Sequence, residues 1–316
     1  MSTATKVAQT RLMSGDELSA DDAWVTLRRT GPGTILRDSF IRFRYADGFS
    51  HARALAFQVC LSVIPAVIAF VGLSATLHRD GGGQVLEAVL ERITPGASEQ
   101  VVRNALEASR ARGQNDALAL WLGLAVALIS MATAMGQIER GANRIYGVER
   151  DRPSVRKYGN ALVLVLIAGL PMAAGLIVVG AGGPLGEALA QVYHWSSGPR
   201  LAWQIARWPF GILLALASAT AIFRRAPRRR QPSLSWLAVG AGLSLTLWAG
   251  LTALLSWYVG GSSTLGATYG PLTAIIALMA WANLTSIALL LGLAVAAQLE
   301  ACRSGSRRPA TDDPGT

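Results

Sequence analysis

Charge is what this chain is short of. Only 15% of its 316 residues are Asp, Glu, Lys or Arg, against about 25% in a soluble domain, so a water-facing surface along most of its length is excluded. Lysine is scarcer still: Lys6 and Lys157 stand alone, and arginine carries almost all of the net charge of +10. Two distant cysteines, Cys60 in an apolar run and Cys302 in the tail, exclude a disulfide framework. The three histidines, His51, His78 and His194, lie in separate segments, so no metal-ligand cluster is expected and no cofactor either. Metal-dependent hydrolysis needs clustered His and Asp ligands to make a hydroxide nucleophile, and nothing here has that spacing. P-loop, dinucleotide fingerprint, HEXXH and G-x-S-x-G elbow are all missing. Gly81-Gly82-Gly83 reads as a turn, because no Lys-Ser/Thr follows it. No catalytic residue is expected, and the chain reads as a protein other than an enzyme.

What it does have is long uncharged runs. Hydrophobic residues make up 52% of the chain and the mean hydropathy is +0.37. The run from Pro271 to Gln298 holds no charged residue, and as a helix it would span about 42 Å, more than the roughly 30 Å of a bilayer's hydrocarbon core. Five further runs precede it: Ala54–Leu77, Ala117–Ile138, Ala161–Gly182, Trp208–Phe223 (short at 16 residues, with Leu201–Ala206 available to lengthen it) and Ser235–Tyr258. The expected fold is therefore all-α and polytopic, with six transmembrane helices. Pro65 and Pro171 fall inside two of them and should kink or unwind the helix locally.

Residues 1–33 are polar and rich in small side chains, and residues 301–316 are polar; both read as disordered cytoplasmic tails flanking a membrane domain over 34–300. With no apolar core in the first twenty residues, no cleavable signal peptide is expected. Thr34–Ser50 carries Leu36, Phe40 and Phe43 on one stripe with Arg37, Arg42 and Arg44 off it. That suits either a helix lying on the membrane surface or one packed on the bundle. In the segment 78–116, two apolar stripes joined by Thr94-Pro95 predict a helical pair outside the membrane.

Six spans put both ends on one side. The residues before Ala54, 139–160, 224–234 and the C-terminal tail hold 22 of the 29 Lys and Arg residues. By the positive-inside rule both termini are cytoplasmic and the protein sits in the cytoplasmic (inner) membrane. Trp121, Trp208, Trp257, Tyr258 and Tyr269 then fall at outer ends, where interfacial aromatics belong. The densest basic patch, Arg224, Arg225, Arg228, Arg229 and Arg230, is a candidate contact for lipid headgroups. No specific nucleic-acid partner is expected.

Within these limits no span contains Asp, Glu, Lys, Arg or His, which disfavours a carboxylate-driven antiporter. Uncharged polar residues form stripes instead. Gln58, Ser62 and Pro65 fall at i, i+4 and i+7; Ser130, Thr133 and Gln137 at i, i+3 and i+7; Asn283 and Ser286 share a face near the mid-depth Trp281. Two readings are open: bonds between helices, worth about 0.6 kcal/mol each, or the lining of a groove for an amphiphile, bounded by the first, second and sixth helices.

Several stretches resemble one family, the YihY/BrkB inner-membrane proteins once labelled ribonuclease BN. Ala54-Leu55-Ala56-Phe57-Gln58 through Leu61-Ser62-Val63-Ile64-Pro65 is similar to its LAFxxxLSxxP entry. Ala142-Asn143-Arg144-Ile145-Tyr146-Gly147-Val148 resembles its segment after the second helix, and Tyr269-Gly270, Trp281 and Leu290-Leu291-Gly292 its closing YG…W…LLLG helix. Two departures stand out: Leu293 and Ala294 replace an acidic GAEL-like sequence, and Gln58 and Asn283 stand where many members have an aromatic. The resemblance implies an integral membrane protein handling lipid or another amphiphile as a transporter or flippase. The alternative is a scaffold acting through its basic loops.

Overall fold

The computed structural model describes residues 5–11, 18–78, 116–180, 182, 183, 186, 197–261 and 272–312. Two short helices open it: the first lies where a structureless tail was expected, and the second falls on the helix expected over Thr34–Ser50. Helix α1 (Ala20–Thr30) begins with a capping box: Ser19 Oγ accepts the Asp22 N–H, and the Asp22 carboxylate accepts the Ser19 N–H at 3.1 Å. Pro32 opens α2 (Pro32–Tyr45) at a position whose N–H would lack a helical partner anyway. The small polar residues that suggested disorder are helix signals here.

The long helices are α3 (Gly48–His78), α4 (Asp116–Ile145), α5 (Ser154–Leu164), α6 (Leu170–Gly180), α7 (Ser197–Arg225), α8 (Leu234–Gly261) and α9 (Leu272–Arg303). Among the described residues, five stretches are long and apolar enough to cross a membrane: Trp121–Ile145, Ser154–Val179, Gly198–Arg225, Leu234–Gly261 and Ile275–Arg303. They match the second to sixth expected spans. The first lies on α3, where the side chains beyond Pro65 fall outside the described residues. The expected outer helical pair also falls outside them, as do Tyr269 and Gly270. The spanning windows are only 22–33% buried within the protein. Trp121, Ile129, Leu213 and Trp257 lie more than half exposed, an apolar surface that needs lipid rather than water around it.

Two expectations about helix limits are corrected. The fourth span is not short: α7 runs for 29 residues from Ser197 and takes Arg200 and Arg207 into the helix. The guanidinium of Arg207 rests 5.6 Å from the centre of the Trp208 ring. Helices α5 and α6 are one rod joined by a π-helical turn, Val165–Gly169, in which the Leu170 N–H reaches back to the Val165 carbonyl. The turn sits just before Pro171, whose missing N–H and ring would otherwise break the α-helical ladder. Pro65 and Pro209, by contrast, lie inside helices that continue through them.

Helix α9 is the centre of the packing, with α8, α3 and α2 against it. Helix α4 lies on α3, and α7 lies between α8 and α6. The α8–α9 crossing is close enough to require glycine. A Cβ on Gly292 would overlap Ser244 Oγ and stand 2.5 Å from the Gly240 carbonyl; one on Gly240 would stand 2.7 Å from the Gly292 carbonyl.

The buried core gathers at one end of this bundle. Helix α2 buries Ile35, Ser39, Arg42 and Phe43 and leaves Leu36 and Phe40 half exposed. Its inward face is thus rotated from the stripe expected by sequence, and α2 packs on α9. At the same end β1 (Thr5–Val7) pairs antiparallel with β2 (Ala310–Asp312), Val7 opposite Ala310.

Candidate functional site

The arginine-rich segments that sequence keeps apart meet at this end. Arg42 is fully buried. Its Nε donates to Gln298 Oε1 at 2.9 Å, and its Nη1 donates to the carbonyls of Ile145 at 3.0 Å and Ala8 at 3.1 Å. Burial draws its guanidinium down to about 10, so it stays protonated at neutral pH. Arg229 turns inward as well. One Nη pairs with the Glu300 carboxylate, the other donates to Thr10 Oγ1, and the group lies 4.6 Å from the centre of the Tyr146 ring. Burial and the Glu300 charge together push the Tyr146 phenol upward, outweighing Arg229 and Arg42.

A second set joins the loop after α4 to the turn after α7. Asn143, fully buried, donates to Asp151 Oδ1 at 2.9 Å and accepts the Arg228 N–H at 2.7 Å. Burial would raise the Asp151 carboxyl, but the Asn143 amide and the Lys157 ammonium outweigh it and hold it below the ordinary range. Arg152 pairs with buried Glu139 at 2.8 Å and caps the α7 C-terminus, donating to the carbonyls of Ala226 at 2.8 Å and Pro227 at 3.0 Å. Chemically this is a neutralised clamp, each of its carboxylates held by a cation. Among the described residues no three His, Cys, Asp or Glu side chains come together as a metal site.

Beside the clamp lies a groove of ≈ 590 Å³ between the π turn, α7 and α8. Ile167 supplies one wall and Leu213, Leu216, Ala217 and Ala221 of α7 the floor. Thr220 also lines it, but its hydroxyl donates to the Leu216 carbonyl of its own helix at 2.7 Å, which leaves the surface apolar. Leu234, Ser235 and Ala238, in the first turns of α8, close the other side, and Arg224 and Arg225 stand at the mouth.

A family model described as virulence factor BrkB matches residues 39–315. The chain belongs to the BrkB family. It is 26% identical over 259 residues to a ribonuclease-like protein, YfkH, of Bacillus subtilis, covering 82% of this chain and 92% of that one. It is 24% identical to a UPF0761 membrane protein of Stenotrophomonas maltophilia (strain K279a), over 91% of this chain and 66% of that protein. A UPF0761 membrane protein of Azotobacter vinelandii is 22% identical, over 85% and 64% respectively. The chain thus spans about two thirds of the length of these UPF0761 relatives. No solved structure matches it.

Within this BrkB-family membrane protein the expected site residues fall into separate places. Gln58 and Thr133 meet: Thr133 Oγ1 lies 3.1 Å from Gln58 Oε1 and 2.7 Å from the Ser130 carbonyl, joining α3 to α4. Ser62 and Ser286 donate to carbonyls of their own helices, Val59 at 2.7 Å and Ala282 at 2.7 Å. Gln137 and Trp281 are half-buried, and Asn283 keeps a buried carbonyl oxygen without a partner among the described residues. Asn143 and Tyr146 belong to the clamp, and Gly292 to the α8–α9 crossing. Of the basic patch, Arg224, Arg225, Arg228 and Arg230 are exposed and Arg229 is turned in.

Sequence reasoning missed Arg42, Glu139, Asp151, Gln298 and Glu300 as partners. The signal was present in Glu139 and Glu300, carboxylates at the ends of apolar helices beside arginine-rich loops.

Proposed function

We propose that this BrkB-family protein is a six-span protein of the cytoplasmic membrane, with both termini in the cytoplasm, that moves a lipid or other amphiphile. The observation that carries the reading is the groove at the π turn of the α5–α6 rod. Its walls are aliphatic, it opens between helices where acyl chains lie, and it ends among arginines. A π turn beside Pro171 is where a helix changes shape at least cost. The wide exposure of aliphatic side chains and the gathering of basic segments at one end support the membrane placing and its orientation. On this reading the protein holds no cofactor and is not an enzyme.

Reconstitution in vesicles tests it: a fluorescent phospholipid analogue should exchange between leaflets faster than in protein-free vesicles. Unchanged exchange, with and without an ion gradient, would sink the reading. A second reading, a scaffold recruiting partners through its basic loops, draws on the Thr133–Gln58 contact, which closes the α3–α4 seam. Transport that survives Gln58→Leu with Gln137→Leu would remove that seam from any path.

A further inference from the structure

We infer that the groove between the π turn, α7 and α8 is a binding site for one anionic phospholipid, with Arg224 and Arg225 as the headgroup contacts. The inference deepens the amphiphile reading by naming a ligand class, and it rests on that reading for placing the groove mouth at the cytoplasmic surface.

Three observations converge on an amphiphile with a negative head. First, the interior is apolar and the mouth is cationic, a division along one groove that matches an acyl chain below a phosphate. Second, Arg224 and Arg225 are free to take an anion. Both are exposed, and among the described residues neither pairs with a carboxylate, whereas Arg152, Arg229 and Arg303 do. Third, the local backbone field favours an anion. The C-terminus of α7 would repel a phosphate through its free carbonyls, but Arg152 covers those of Ala226 and Pro227, and Asn160 reaches that of Arg225 at 3.4 Å. The opposite wall is the N-terminal turn of α8, whose positive end faces the mouth through Leu234 and Ser235. A zwitterionic lipid would bring a second, positive group to the same arginines. The site therefore selects charge in the head and tolerates variety in the chain.

Native mass spectrometry of the full chain, after exposure to vesicles of equal phosphatidylglycerol and phosphatidylcholine, tests this. One phosphatidylglycerol should be retained per chain, with a preference on the order of 25-fold, about fivefold for each arginine near the surface. Arg224→Gln with Arg225→Gln should bring the two lipids to near parity. Arg230→Gln, exposed in the same patch, should leave the preference intact. Ala217→Trp should displace both lipids with every charge retained, and Ala221→Trp, on the same floor, serves the same purpose if the first variant fails to fold. Millimolar inorganic phosphate should not displace the lipid.

Parity in the unaltered protein, retention that ignores a filled groove, an equal loss in Arg230→Gln, or displacement by phosphate alone would each overturn the site. Because the readout is binding, the two ideas fail separately. Lipid exchange without retained phosphatidylglycerol removes this site alone; retention without exchange removes the transport reading and leaves the site.

Discussion

The two ends of the same helices are held by different forces. At the basic end, Arg42, Asn143, Arg152 and Arg229 each bind main-chain or side-chain atoms of other segments at fixed geometry. Toward the far ends of α4 and α8, Trp121 and Trp257 face outward, among the most exposed large apolar side chains described. Directional bonds specify one arrangement; apolar contact in lipid does not, because a lipid tail serves about as well as a leucine. The contrast teaches that this fold is specified from its polar end, and that the apolar halves are left to adjust against lipid.

Breaking the polar end should therefore cost most. Arg42→Met strands three neutral acceptors, Gln298 Oε1 and two main-chain carbonyls, and should destabilise the solubilised protein by about 3–5 kcal/mol, or prevent its folding. A thermal-unfolding midpoint within a degree of the parent would refute the contrast. Crowding the α8–α9 crossing comes next. Gly292→Ala should cost about 1–3 kcal/mol through the overlap with Ser244, whereas Gly242→Ala on α8, with open space around its Cβ, should be close to neutral.

Acid should loosen the clamp more gently. The Asp151 carboxyl is held below its unfolded value, so the stability it contributes is present above about pH 4 and is lost as pH falls through the folded value. Asp151→Asn should flatten stability against pH in that window; an unchanged acid slope would show that Asp151 contributes nothing there. The smallest effect belongs to the apolar half. Thr133→Val removes the Gln58 contact and should cost only about 0.6 kcal/mol, and a loss comparable to that of Arg42→Met would reverse the comparison.

The apolar half was legible because hydrocarbon imposes helices and a minimum length, so long runs without charge betray it. The second, fifth and sixth spans began within a residue of their helices. The fourth did not, because Arg207 was taken as a boundary although it lies within the helix with its guanidinium beside the Trp208 ring. The clamp was opaque for a physical reason. Arg42, Asn143, Arg229 and Gln298 lie far apart in the chain, and sequence shows residues rather than pairings. A buried arginine looks like any basic surface residue until its acceptors are known. Tyr146 and Asn143 were visible only through the family resemblance, which marked the positions without giving their partners.

The pairing of Thr5–Val7 with Ala310–Asp312 has a further consequence. Thr5 stands opposite Asp312, so the backbone enters and leaves this pair at the same place on the fold. Fluorescent proteins fused at both ends would stand side by side, so energy transfer between them would report directly on whether this clasp opens.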